Sequence, residues 1–154
     1  MRRKEREVKD AQGITEILAK TSVCSIAMVD NGVPYIVPLN YGYVLEGETL
    51  TLYFHCASKG RKLDILKNNP HVGFETHWEG ELKGSDKPCT YTISYGDVIG
   101  TGEAIFVEND DEKAFALKTL MQHLTAKDFE FEEKSIKSVF IFKIVSTDFC
   151  GKKN

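Results

Sequence analysis

The dipeptide Asn31-Gly32, between two apolar runs, constrains the fold of this chain more than any other local feature. Both residues tolerate the positive φ of a two-residue turn, so the pair predicts an antiparallel β-hairpin. Its arms are Cys24 to Val29 and the run from Val33 to Tyr43. The second arm contains Pro34 and Pro38, which cannot donate ladder hydrogen bonds, and this predicts an edge strand or a bulge. An edge strand leaves backbone groups free to receive a ligand or a partner chain.

Further β-forming runs follow along the chain. A turn at Glu46-Gly47-Glu48 precedes the run from Thr49 to Cys56, and later strands are predicted at His71–Trp78, Thr90–Glu108 and Val139–Val145. The polar, glycine-containing segment from Glu79 to Pro88 reads as a loop. The glycines at 96, 100 and 102 predict bends or close backbone approach within the long run, which is one strand or two.

Three segments carry helical signals. Apolar residues at helical spacing predict a short amphipathic helix over Ile14–Lys20, and Arg61–Asn69 reads as a helix that ends before Pro70. Asn109, followed three residues later by Glu112, is close to a capping box and opens the longest helix. About six strands with short connections and three or so helices favour a mainly β domain, a small barrel rather than a parallel sheet.

Size and charge limit the function classes. The 154 residues suffice for one domain, and no repeat or linker divides residues 1–154. A formal net charge of −3 and a pI near 5.8 argue against a nucleic-acid partner. No run approaches the roughly 20 apolar residues of a membrane span. The charged segment Met1–Glu7 is followed by no apolar region, so we expect a cytoplasmic protein.

The basic segment Ser58-Lys59-Gly60-Arg61-Lys62 lies at the junction between a predicted strand and a predicted helix. Cations in the first turn oppose the helix macrodipole, at a cost of a few tenths of a kcal/mol each. A bound phosphate would explain the cluster, because free N–H groups, the dipole, the Ser58 hydroxyl and the cations converge there. The alternative is a solvated basic loop. The spacing is not that of a nucleoside-triphosphate loop.

Histidines and cysteines are the other candidates for chemistry. His55 ends the strand before the basic segment, and it is either a proton-handling group or a polar strand end. His71 and His77 share a strand face with Glu75 but lie roughly 20 Å apart by strand rise, too far to share a metal. His123 is expected to be a surface or partly packed residue. We therefore predict no metal site, and four widely spaced cysteines predict neither zinc nor a disulfide framework.

Several segments, in order, resemble one known family. They are the charged N-terminus, Gly32–Tyr43, Tyr53–Leu63 with Asn69–Val72, Cys89, Tyr95–Ala104 and Cys150–Lys152. Each is weakly specific alone, but the ordered set covers nearly the whole chain. It is similar to the nitroimidazole-resistance (Nim) branch of the pyridoxamine-phosphate-oxidase-like flavoproteins.

The resemblance implies an FMN-binding split β-barrel that works as a homodimer, with the flavin between subunits. It assigns Ser58, Gly60, Arg61 and Lys62 to the FMN phosphate, and the edge strand residues Pro38, Leu39, Asn40 and Tyr41 to the isoalloxazine ring. His55 would stand on the substrate side of the ring as the catalytic, proton-handling residue. The implied reaction is reduction of a small flat substrate such as a 5-nitroimidazole, from nitro group to amine.

One departure from the family bears on affinity. The family usually has Ser where this chain has Asp97, and a carboxylate near a phosphate would repel it. Asp97 therefore either points away from the cofactor or lowers its affinity. Two other interpretations stay open: a non-catalytic flavin- or haem-binding stress or sensor protein, and a structural dimer with an empty cleft. No dinucleotide fingerprint identifies an electron donor.

Overall fold

The computed structural model describes residues 3–154, so Met1 and Arg2, which belong to the charged N-terminal motif, lie outside the described residues. Eight strands are present: β1 (Glu7–Val8), β2 (Val23–Asp30), β3 (Val33–Asn40), β4 (Gly42–Glu46), β5 (Thr49–Cys56), β6 (His71–Lys83), β7 (Thr92–Val107) and β8 (Phe140–Lys153). Four α-helices accompany them: α1 (Ala11–Leu18), α2 (Arg61–Asn68), α3 (Asp110–Thr125) and α4 (Glu133–Ser138). Short 3-10 turns occupy Lys4–Arg6 and Pro88–Thr90.

All strand pairs are antiparallel, and the sheet runs in the order β3-β2-β6-β7-β8-β5-β4, with β1 added to β8. This confirms the mainly β fold class. The hairpin predicted at Asn31-Gly32 joins β2 to β3, with φ of 50° and 83° at the two turn residues. The prediction of an edge strand is also confirmed, because β3 pairs only with β2 and ends the sheet.

The core lies inside the curved sheet. Phe54 of β5 and Phe142 of β8 are opposite each other in register, and their rings stack with centroids 5.0 Å apart. Helix α1 adds three apolar side chains to the same cluster. A second, smaller cluster lies on the outer side of the sheet under α3 and contains Tyr53, Val107, Ala116, Leu117 and Ile141.

The three predicted helices are present. Asn109 caps α3 as predicted, since its side-chain oxygen accepts a hydrogen bond from the Glu112 N–H at 3.0 Å. Helix α3 lies directly against β4 at the buried Gly42, where a Cβ would come within 2.5 Å of the Leu120 nitrogen. A side chain at position 42 would therefore displace the helix backbone.

Strand boundaries needed correction. The predicted single strand from Val33 to Tyr43 is wrong, because β3 ends at Asn40 and β4 begins at Gly42. The loop predicted over Glu79–Pro88 is wrong for its first half, since β6 pairs with β7 as far as Lys83. The glycine-rich run forms one continuous strand, β7, with a register shift between Thr101 and Glu103. Strand β8 is also twice as long as expected.

Two further observations concern environment. Among residues 3–154, no helix is long and apolar enough to cross a membrane. The four cysteines are free thiols; Cys24 is buried, Cys56 and Cys150 are partly buried, and Cys89 is exposed.

Candidate functional site

At the junction between β5 and α2, the first backbone N–H groups of the helix have no hydrogen-bond acceptor within the helix. Gly60 precedes the helix with φ of 141°, a backbone conformation that residues other than glycine rarely adopt. A Cβ at this position would meet nothing within 4 Å, so the space around the backbone is open. The first donor of the helix with a main-chain acceptor is the Leu63 N–H, which donates to the Gly60 carbonyl at 2.9 Å. The N–H groups of Arg61 and Lys62 precede it, at the positive end of the macrodipole. This end of α2 therefore suits an anion.

Arg61 reaches from α2 to the β2–β3 hairpin. Its Nε and Nη2 donate to the Asp30 Oδ2 at 3.0 and 2.9 Å, and its guanidinium lies 4.5 Å from the centre of the Tyr35 ring. Asp30 and Tyr35 were not among the predicted site residues. No local pattern could have identified Asp30, because it is 31 positions from Arg61 in the chain.

The other residues of the basic segment, which include the predicted phosphate ligands Ser58, Gly60 and Lys62, differ in exposure. Ser58, Lys59 and Gly60 are exposed, and Lys62 is partly buried. Burial raises the pKa of the neighbouring Cys56 thiol, and the charge of Lys62 partly offsets that rise. Lys62 thus lies close to the end of β5.

The four predicted ring-lining residues divide into two pairs. Pro38 and Asn40 are exposed, although the Asn40 amide donates to the Ser22 carbonyl at 2.8 Å. Leu39 packs against the core, and Tyr41 is fully buried with its hydroxyl 2.6 Å from the Thr21 hydroxyl. The Tyr41 and Leu39 side chains thus do not face a surface site, and only their backbone could contact a ring.

The edge of β3 that faces away from β2 exposes backbone N–H and carbonyl groups to a ligand. A proline cannot donate to β2, so Pro34 and Pro38 suit positions whose nitrogen faces away from that strand. Ile36 lies midway between them, and the alternation of the ladder turns its N–H toward the same free edge. The structure brings this strand to the junction through Arg61, which contacts Tyr35 of β3.

His55 is exposed on the outer face of β5, directly opposite Ile141 of β8. Its side chain takes part in none of the hydrogen bonds of residues 3–154. The imidazole is therefore free to approach a ligand from the face of the sheet. On β6, by contrast, the His77 Nδ1 lies 2.6 Å from the Glu75 carboxylate, and no cluster of three potential metal ligands occurs within the described part of the chain.

Asp97 lies elsewhere, in an open cleft of about 620 Å³ on the outer face of β6, β7 and β8. In register it faces His77 on one side and Lys152 on the other. Burial raises the pKa of Asp97, and the nearby Lys152 charge opposes that rise. Lys152 and Arg6 lower the pKa of Tyr95, the next outward residue of β7. The cleft therefore has acidic groups on β6 and β7 and basic groups on β8 and the N-terminal turn.

The junction residues suit a phosphate group. The open backbone at Gly60, the N–H groups that precede Leu63 and the cations Arg61 and Lys62 all belong to one short stretch of chain at the start of α2. Such a set of donors is typical of phosphate recognition. Together with the antiparallel sheet, this defines a split β-barrel whose strand-to-helix junction suits an anion.

The chain belongs to the pyridoxamine 5'-phosphate oxidase family, whose model matches residues 10–153. This confirms the family that the sequence motifs predicted. No curated protein sequence matches the chain.

Solved structures support the same fold. The chain is similar to a proposed 5-nitroimidazole antibiotic resistance protein from Bacteroides thetaiotaomicron, with 28% identity, a TM-score of 0.79, and coverage of 96% of this chain and 86% of that one. An FAD- and heme-binding protein from Mycobacterium smegmatis is 15% identical, with a TM-score of 0.80 and coverage of 97% and 73%. An FAD-binding protein from Mesorhizobium loti is 19% identical, with a TM-score of 0.67 and coverage of 97% of both chains. The last two likenesses concern the fold alone.

Proposed function

We propose that this chain binds FMN at the β5–α2 junction and acts, as a cytoplasmic homodimer, as a flavin-dependent reductase of small flat substrates such as 5-nitroimidazoles. The observation that carries the proposal is the anion-suited first turn of α2, where Arg61 and Lys62 flank N–H groups that have no helix acceptor. Membership of the family and 28% identity to the Bacteroides protein support it.

Each part of the chain has a defined task under this proposal. Arg61, Lys62 and Ser58 hold the phosphate, and the free edge of β3 offers backbone groups to the ring. FMN, when bound, supplies the electron transfer. The exposed His55 imidazole donates the proton that a nitro group takes up on reduction, since histidine is the side chain that most often serves as a general acid.

The outer face of the sheet supports a homodimer. Apolar side chains are exposed on the β2–β3 hairpin and on β7, namely Val29, Ile36, Ile99 and Ile105. Exposed apolar surface is a common feature of protein interaction sites. The junction of one chain is also open to solvent, which leaves room for a second copy to contribute to the flavin site.

The absorbance spectrum of the purified protein is the first test. A flavin spectrum, or its appearance on addition of FMN, supports the proposal; a Soret band would indicate haem instead. Arg61→Ala with Lys62→Ala should then weaken FMN binding by at least about tenfold, since each hydrogen bond to a charged group contributes about 1.5–3 kcal/mol. Lys67→Ala, in the last turn of the same helix, is the matched control. Unchanged FMN affinity in the double variant would contradict the assignment.

The role of His55 is tested separately from binding. The flavin is reduced chemically under anaerobic conditions, 2-methyl-5-nitroimidazole is added, and reoxidation is followed by absorbance. His55→Ala should retain FMN and slow reoxidation by about 10²-fold or more, the usual contribution of a positioned acid. His71→Ala, an exposed histidine on β6, should behave as wild type. Equal rates in the two variants would exclude His55 as the proton donor.

A further inference from the structure

We propose that His123 makes the packing of α3 sensitive to pH: the helix is held against β4 while the imidazole is neutral, and it loosens from the sheet when the imidazole takes up a proton. The proposal concerns only how α3 packs on the sheet. It therefore does not depend on flavin binding, and its failure would leave the proposed function unaffected.

His123 lies beside a close contact between α3 and the sheet. Gly42 of β4 packs against the backbone of Leu120, three residues before His123. Residues three positions apart lie on the same side of a helix, so the imidazole is directed toward the two tyrosines that flank Gly42. Its ring centroid lies 4.8 Å from that of Tyr41 and 5.0 Å from that of Tyr43, the second pair edge to face. His123 thus packs against both neighbours of the glycine that lets the helix approach.

The environment of the imidazole suits its neutral form. The His123 Nε2 is buried and has no hydrogen-bond partner within residues 3–154. Protonation would add a charge and a second N–H donor to this contact, and a buried donor without an acceptor loses its hydration uncompensated. Burial lowers the pKa of His123, and the neighbouring Thr21 backbone partly offsets that shift. The packed state of α3 therefore disfavours the imidazolium.

Tyr41 and Tyr43 are the titratable side chains whose rings face His123. Burial raises the pKa of both, to about 12 for Tyr41, so both hydroxyls stay protonated near neutral pH. Within residues 3–154, the ion pairs made by α3 do not include His123; they join Lys113 to Asp110, Lys118 to Glu130 and Lys143 to Glu112. The imidazole is therefore the group in this contact that changes charge near neutral pH.

The direction of the pH response follows from linkage between protonation and packing. In a released helix the imidazole has the ordinary histidine pKa of 6.5, and in the packed helix its pKa is lower. Between these two values the released state binds a proton that the packed state does not, so the equilibrium constant for release rises about tenfold for each pH unit of acidification. Above the ordinary pKa both states are neutral, and α3 is held most firmly.

Hydrogen exchange of backbone amides tests the proposal. It is measured on the protein as purified at pH 7.5 and pH 5, and corrected for intrinsic exchange rates. Protection of Leu117 and Leu120 in α3 should fall on acidification, by about tenfold per pH unit between the two pKa values of His123. At pH 5 it should also be lower than that of Phe142 and Ile144 in β8, because α3 opens without the rest of the sheet.

His123→Phe keeps an aromatic ring between the tyrosines but cannot take up a proton, so protection of α3 should be equal at the two pH values. His123→Gln is a second variant without a titrating group, in case the Phe protein folds poorly. His71→Gln, at an exposed position on β6, is the matched control and should keep the wild-type response. In the wild-type protein, the Cε1–H resonance of His123 should titrate below pH 6.5.

Three results would overturn the proposal. The first is a pH response of α3 that persists in both His123→Phe and His123→Gln. The second is a His123 resonance that titrates at or above the ordinary histidine value. The third is equal protection of α3 and β8 at pH 5, because the helix would then leave the sheet only when the whole fold unfolds.

Discussion

Gly42 is the position where one added methyl group should have the largest effect on stability. It is fully buried at the start of β4, and a Cβ there would lie 2.5 Å from the Leu120 nitrogen, 2.6 Å from the Leu120 Cα and 2.7 Å from the Thr119 carbonyl carbon. These are backbone atoms of α3, so no side-chain rotation relieves the overlap. Gly42→Ala must therefore push the helix away from the sheet.

The magnitude follows from two opposing effects. Overpacking a core costs about 1–3 kcal/mol, and three backbone contacts below 3 Å put this position near the upper end. Replacing glycine by alanine returns about 0.5–1 kcal/mol through lower entropy of the unfolded chain. The net loss is about 2–2.5 kcal/mol, which for a chain of this length lowers Tm by about 4–10 °C.

Gly73→Ala is the matched control, since its new Cβ would meet the Ala27 Cβ at 3.8 Å, an ordinary contact. Both variants are unfolded by heat and by urea without added flavin, and followed by far-UV circular dichroism, with the oligomeric state checked by size exclusion. Gly73→Ala should match or exceed the wild-type Tm. A Gly42→Ala protein as stable as Gly73→Ala would refute the argument that α3 lies rigidly against β4.

Two further predictions concern ionisable side chains. Burial raises the pKa of Asp97 in the folded protein, so the charged form of Asp97 destabilises the fold. This destabilisation is absent below the ordinary aspartate pKa and complete above the raised pKa. Asp97→Asn should therefore raise Tm at pH 7 but not at pH 3, and an equal rise at both pH values would contradict this. Burial raises the pKa of Cys24 to about 12, whereas Cys89 is exposed. A disulfide-exchange reagent at pH 8 should label Cys89 first and Cys24 only on unfolding; a fast phase that survives Cys89→Ser would contradict the assignment.

Local signals predicted local structure well. The turn at Asn31-Gly32 and the cap at Asn109 were found because each depends on residues within a few positions. Helix α2 was found for the same reason, and with it the cationic junction that carries the candidate site. Where a few neighbouring residues decide the backbone, the sequence is sufficient.

Long-range contacts account for what the sequence did not reveal. The strand expected to continue through Tyr43 breaks because the chain changes partner, since β3 pairs with β2 as far as Asn40 and β4 pairs with β5 from Gly42. Strand β6 extends to Lys83 because β7 supplies a partner for polar residues that have low intrinsic strand propensity. At the site, Asp30 restrains Arg61 across the sheet, and no spacing rule relates the two.

The position of β8 has a consequence for synthesis of the chain. This strand lies between β7 and β5 and also carries β1, so three strands made earlier depend on a partner that leaves the ribosome last among them. Until it emerges, β5 and β7 each expose an unpaired edge, and pairings between distant parts of a chain form slowly. Nascent chains should therefore depend on chaperones during the interval between completion of α3 and release of β8.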